Sequence, residues 1–440
     1  MNEIKILKRI SAALLNSLTS GVTPRLGIEH IAVGRKREIE TLLGDLENIS
    51  YGGSVFRFIV GRYGSGKSFL LQILKTYAVE RGYIVADADL SPERKLIGGN
   101  QSGLATYREL LRSMSNKVRP DGGALTALLD KWLDGIQVKL IAEGTPENEI
   151  PMMMERRILL DISAAENLVH GFDFSKVLQA YWRGFNTGDD ELKNSAMKWL
   201  RGEYAAKTDA VNELGVRAII TDDNWFDYIK LLSAFVSILG YKGLIILLDE
   251  GVNLYKISNT ISRNNNYEKL LNMFNEAMQG KVQSLGAYMC GTPQFVEDMR
   301  RGLFSYEALR TRLSGSRFMK DGMKDMQGPL IYLEKLTHEE LYVLLQRVMH
   351  LHSVHYGYDP RVTDAELVGF MQIVANRLGA DELLTPREVL RDFTSILNYI
   401  HQNPEQSFAS MLGEDILRKI TVKSAETDDG ADDEAVEIII

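Results

Sequence analysis

A chain of 440 residues with 45% apolar and 25% charged side chains is an ordinary globular composition too long for one small core, and 10 prolines exclude a linker-rich protein and favour helix. The formal charge is −8, yet the final stretch AETDDGADDEAVEIII carries seven acids and no base, so the remainder is close to neutral and no global field draws it to DNA or RNA. One cysteine, Cys290, excludes an internal disulfide, and with no zinc-type Cys/His spacing the expected setting is the reducing cytoplasm.

The N-terminal run MNEIKILKRISAALLNSL has no export signal and reads as an amphipathic helix with Ile10, Leu14 and Leu18 on one stripe, opening an arm over 1–30. VGRKREIETLLGDL is a turn followed by a helix with Ile39, Leu42, Leu43 and Leu46 inward. The β-rich run Val55 to Val60 feeds directly into GRYGSGKS, Gly61 to Ser68, and then into the helical FLLQILKTYAVERG. Tyr83 to Leu90 is the next strand. Residues 91–216 then read as helices alone, a large insertion.

The apolar stretch Ile229 to Asp249 holds Lys230 and Lys242 and a Gly240/Gly243 break, so it predicts a buried helix, a turn and a buried strand, with no membrane span. Strands Leu244 to Glu250, Leu285 to Thr292 and Pro329 to Glu334 complete a core over 31–90 and 217–335. Helices fill 336–423, a C-terminal lid domain, and 424–440 is an acidic tail expected to be disordered. The fold class is therefore α/β, a phosphate-loop core with a parallel sheet, a helical insertion and a helical lid.

A phosphate loop needs glycines so that backbone amides turn toward an anion, a lysine for the outer phosphates, and a hydroxyl for Mg²⁺. Gly61, Arg62, Tyr63, Gly64, Ser65, Gly66, Lys67, Ser68 and Phe69 supply that pattern between a strand and a helix. The metal's second protein ligand is expected at the end of a neighbouring buried strand, where Asp249 stands, with Glu250 next to it as general base. Thr292, just past another strand, offers a hydroxyl to the γ-phosphate or the attacking water; a plain Thr-Pro turn is the competing reading. Arg310, Arg312 and Arg317 precede the final strand, and Arg387 opens a later helix; guanidinium groups there can stabilise transition-state charge or simply be solvated.

VGRKREIE, GRYGSGKS, LIILLDE, MCGTPQF and TPRE, in that order, resemble the AAA+ ATPase series of adenine-side helix, Walker A, Walker B, sensor 1 and sensor 2, in its origin-recognition and STAND-like branch. VTPRLGIEHIAVGR, FIVGRYGSGKSFLL and GGNQSGLATYREL resemble the BrxD-type ATP-binding proteins of bacterial BREX phage-defence systems. The resemblance implies ATP and Mg²⁺, Gly34 and Arg35 on the adenine side, Arg387 in the lid, and Arg312 acting in trans within an ATP-dependent homo-oligomer. It further implies a helicase or other defence-system partner and DNA reached through that assembly. About 25 residues between the last strong helix and the tail are too few for a separate DNA-reading domain. The competing readings are a nucleotide-gated binding switch with little hydrolysis and a phosphotransferase using the insertion as its acceptor pocket.

Two lesser signals remain. His350, His352 and His355 have no metal-site spacing and read as a helix-end surface. Met152 to Met154 reads as core or interface filler.

Overall fold

A computed structural model describes residues 6–166, 170–314, 325–375 and 385–412. Arg317, the end of the expected lid domain over 413–423 and the acidic tail lie outside the described residues. The first half of the chain runs α1 (Lys8–Thr19), α2 (Lys36–Ser50), β1 (Ser54–Val60), α3 (Lys67–Glu80), β2 (Ile84–Asp89), α4 (Ser102–Ser113), α5 (Ala124–Ala142), α6 (Ile150–Glu166), α7 (Gly171–Thr187), α8 (Asp190–Leu200) and α9 (Lys207–Leu214). The second runs α10 (Trp225–Ile238), β3 (Leu244–Asp249), α11 (Val252–Tyr255), α12 (Thr260–Met278), β4 (Leu285–Gly291), α13 (Pro293–Glu297), α14 (Glu307–Leu313), β5 (Leu330–Tyr332), α15 (His338–Tyr356), α16 (Asp364–Ala375), α17 (Pro386–Gln402) and α18 (Phe408–Met411). The chain divides into two compact units, one of Arg37–Val60 and Leu74–Tyr332, the other of Met1–Lys36, Gly61–Ile73 and Leu333–Ile440.

The first unit is built on a five-stranded sheet in the order β2-β3-β4-β1-β5, with every neighbouring pair parallel. Parallel strands are covered on both faces, which is why β3 and β4 read as near-continuous apolar runs, and β1 as one broken by Arg57, rather than as alternation. All seven residues of β4 are buried. The five strands expected from the sequence are the five observed, and the α/β class with a parallel sheet stands. Insertion residues Tyr107, Leu128, Trp132, Phe174, Tyr181 and Trp199 share one apolar cluster with Phe56, Ile84 and Ile246 of the strands. Buried ring donors are satisfied locally: Trp225 Nε1 donates to Leu96 O at 2.8 Å and Trp199 Nε1 to Ala218 O at 2.8 Å.

One charge lies buried inside β1, the strand between β4 and β5. Arg57 of β1 is buried, and its Nε and Nη2 donate to the two carboxylate oxygens of Asp45 at 2.7 and 2.6 Å. Its Nη1 donates to Met326 O at 3.1 Å and Gly328 O at 2.5 Å, which fixes the chain as it enters β5.

The second unit gathers helices around a separate cluster in which Leu14, Leu15 and Leu18 of α1 join Leu345 and Val348 of α15, Phe370 of α16 and Phe393 and Leu397 of α17. The stripe expected on α1 is thus buried at Leu14 and Leu18, with Ile10 half-buried. Both α15 and α17 open with a capping box, Thr337 with Glu340 and Thr385 with Glu388, each satisfying two orphan amides reciprocally.

The histidine run departs from its expected place at a helix-end surface. His352 is fully buried, with Nδ1 2.6 Å from Tyr358 Oη and Nε2 3.1 Å from Asn398 Oδ1. Its spacing from Leu345 and Val348 puts it on the apolar stripe of α15, whereas His350 and His355 are only half-buried. Among the described residues no group of three or more His, Cys, Asp or Glu side chains could hold a metal ion, and no helix is long and apolar enough to cross a membrane.

Candidate functional site

The phosphate loop follows the last residue of β1 and ends where α3 begins. Gly64 and Gly66 have φ of +71° and +95°, a region costly for residues with a Cβ. Gly61 has no such φ and is needed for space: a Cβ there would lie 2.4 Å from Ser65 Oγ. Ser65 N donates to Arg62 O at 3.2 Å, closing the turn, and Leu70 N donates to Gly66 O at 2.9 Å, starting the helix. Lys67 and Ser68 occupy the first turn of α3, where unpaired amides and the helix dipole favour an anion.

Lys67 Nζ donates to Gly61 O and Arg62 O, both at 2.8 Å, and lies 5.4 Å from the centre of the Tyr63 ring. Arg62 and Tyr63 are exposed on the loop. Ser65 Oγ is buried and has no hydrogen-bond partner among the described residues. A loop of this shape with an orphaned hydroxyl suits a phosphate group, and a serine hydroxyl with an aspartate carboxylate is the oxygen-donor chemistry that Mg²⁺ prefers. Phe69 turns its ring against the helical cluster of the second unit.

Three further segments of the same unit meet this loop or each other. Gly34, at φ +74°, lies against the start of α15 and the residues before it: a Cβ would fall 2.6 Å from Leu336 Cδ2 and 2.7 Å from Glu340 Oε2. Arg35 is buried, and its Nη2 donates to Ser65 O at 3.0 Å, so the residue expected on the adenine side grips the phosphate loop. Thr385, the capping residue of α17, is pressed on Gly64: a Cβ there would lie 2.4 Å from Thr385 Cβ and 2.6 Å from its Cγ2 and Oγ1. Arg387, two residues on, is exposed, and its Cγ lies 3.9 Å from the Cβ position of Gly21.

In the sheet unit, Asp249 is the last residue of β3 and stands in register with Asp89, the last residue of β2. Glu250 follows at φ +56°, an uncommon conformation for a residue with a side chain. Its amide donates to Asp249 Oδ1 at 2.7 Å. Thr292 directly follows β4 and is buried; its Oγ1 accepts from Phe295 N at 3.2 Å, capping α13 with Pro293 at the first helical position. That bond uses the hydroxyl as an acceptor and leaves its proton to donate. Asp249, Glu250 and Thr292 therefore share the carboxyl edge of the sheet.

Arg312 stands elsewhere in that unit. Its Nε donates to Asn275 Oδ1 at 2.7 Å and its Nη1 to Ala308 O at 2.8 Å. It lines a cleft of about 650 Å³ with Asn48 of α2 and with Ser54 and Val55 at the start of β1. Seven residues of strand separate that amino edge from the carboxyl edge, roughly 20 Å. Sequence reasoning missed the Arg35 and Thr385 contacts, because nothing in residue order says which carbonyl or glycine a distant side chain will meet. The pairing of Asp89 with Asp249 carried a faint signal, an acid closing each of two strand runs.

No curated protein matches this chain closely enough to count as a relative. The family described as BREX system ATP-binding protein BrxC/D matches over residues 6–416, and the chain belongs to that family.

Proposed function

We propose that the chain is a Mg²⁺-dependent ATPase of AAA+ type that couples nucleotide binding and hydrolysis to assembly with a DNA helicase or another DNA-processing protein in phage defence. Membership of a family of BREX ATP-binding proteins supports ATP as the nucleotide and phage defence as the setting. The observation that carries the reading is the loop itself, with left-handed Gly64 and Gly66 opening into α3 and Lys67 folded over it.

In this reading the loop amides and Lys67 bind the phosphates, and Ser68 and Asp249 hold the metal. Mg²⁺, when bound, neutralises charge on the phosphate oxygens. Glu250 accepts a proton from the attacking water, and the free Thr292 hydroxyl proton points the γ-phosphate or that water. Gly34 lies on the adenine side and Arg387 closes over the phosphates from α17. Arg312, at the amino edge of its own sheet, acts on a neighbouring copy in an ATP-dependent homo-oligomer. The cytoplasm is the expected compartment, and DNA is met through the assembly.

Calorimetric titration of the purified chain with ATP and Mg²⁺, beside Lys67→Ala, tests the reading. Uptake by the parent and none by the variant is expected; absence of uptake by the parent would end it. The contact of Thr385 with Gly64 favours a second reading, a nucleotide-gated switch whose loop reports to α17 with little hydrolysis. Phosphate release measured with and without DNA separates the two: background release in both, with binding intact, selects the switch.

A further inference from the structure

The Gly64–Ser65 segment at the tip of the phosphate loop is held from two directions. Arg35 Nη2 takes the Ser65 carbonyl at 3.0 Å, and the Thr385 side chain rests on Gly64 so closely that no Cβ would fit. Arg35 is buried and comes from the segment after the arm, while Thr385 opens α17. We propose that Arg35 and Thr385 are positioning residues that clamp this peptide, so that the loop amides are aimed at phosphate before it arrives.

The physical argument is one of preorganisation. A glycine loop is the most costly kind of backbone to order, because Gly64 and Gly66 lose more conformational freedom than any other residue on being fixed. Whatever fixes the loop beforehand removes that cost from the binding step. A carbonyl held by a guanidinium also fixes the plane of its peptide, and hence the direction of the amide at the next residue, Gly66. By linkage, a nucleotide bound to the loop must in turn steady α17 through Thr385.

Thr385 does two separable jobs, which gives the test. Its hydroxyl caps α17, accepting from Glu388 N, and its Cβ, methyl and hydroxyl together lie on Gly64, the methyl as near as the hydroxyl. Thr385→Ser keeps the cap and removes the methyl; Thr385→Val keeps the shape and removes the cap. The probe is ADP with Mg²⁺, measured by calorimetry, with thermal melting of the nucleotide-free protein alongside. The clamp requires Ser to weaken ADP binding about fivefold with little change in melting, and Val to lower melting while binding stays within about twofold. A residue acting only as a cap would make Val the worse variant in both measurements, and that order would overturn the proposal. Arg35→Met should weaken ADP binding about tenfold, with Arg35→Lys recovering part of the loss by donating to the same carbonyl.

The inference rests on the loop being a nucleotide site, and the two can fail separately. If the parent protein binds no ADP, the site reading falls. If the parent binds and Thr385→Ser and Arg35→Met bind equally well, the clamp alone is wrong.

Discussion

The backbone amide of Glu250 donates to Asp249 Oδ1 at 2.7 Å while Glu250 itself sits at φ +56°. The acid pair at the end of β3 is thus held in a conformation that a side chain resists, a form of strain found most often at functional sites. Glu250→Gln should retain ATP binding and lose at least about 100-fold in turnover, measured as steady-state phosphate release. Glu250→Gly removes the carboxylate and relieves the left-handed conformation by about 1 kcal/mol, so it should lose turnover and melt no lower than the parent. Full turnover in the glutamine variant would take Glu250 out of the mechanism.

The Arg57–Asp45 pair gives a prediction in stability alone. Asp45→Asn leaves a buried guanidinium without its counter-charge and should cost about 3–5 kcal/mol in urea unfolding. Combining Asp45→Leu with Arg57→Met should cost less than either charged remnant, since no unpaired charge is left inside. The recovery will be partial, because the Met326 and Gly328 carbonyls lose their donor.

Burial holds the His352 imidazole below its ordinary value of 6.5, helped by the nearby His401 and His355 and opposed by the Asn398 acceptor. The folded state therefore keeps His352 neutral at a pH where the unfolded chain already takes up a proton. Stability should be constant well above pH 6.5, fall as pH drops below it, and level off beneath the depressed folded value. Melting from about pH 7.5 to about pH 5.5 tests this, and the slope should shrink in His352→Gln. An identical slope in that variant would assign the effect to other groups.

If Arg312 acts on a neighbouring copy, Arg312→Ala should bind ATP normally and hydrolyse poorly. Mixed with Lys67→Ala, which lacks a working site but keeps its arginine, it should regain turnover as mixed oligomers form. No recovery at any mixing ratio removes the role in trans.

The parts of the fold legible in the sequence were those that rest on local pattern. Five short strand-like runs became five parallel strands, the apolar Leu244 to Leu248 most plainly because both faces of such a strand are covered, and Gly61 to Ser68 announced a loop because glycine spacing maps directly onto backbone turns. What spacing cannot encode is which distant group a side chain meets. Residue order did not tell that Arg35 holds Ser65 O, or that Arg312 stands at the opposite sheet edge from Asp249. His352 was legible in principle, since Leu345, Val348 and His352 share a stripe, but a polar residue near a helix end invites a surface reading.

The interleaving of the two units bears on how the protein is made. The backbone passes between them at residues 36/37, 60/61, 73/74 and 332/333, and α1 shares its cluster with α17. During synthesis the sheet can assemble once residue 332 has left the ribosome, whereas the body around the phosphate loop must wait for helices translated near the finish. A stalled or clipped product would therefore carry the loop without its supports. Neither half can be produced as one contiguous fragment.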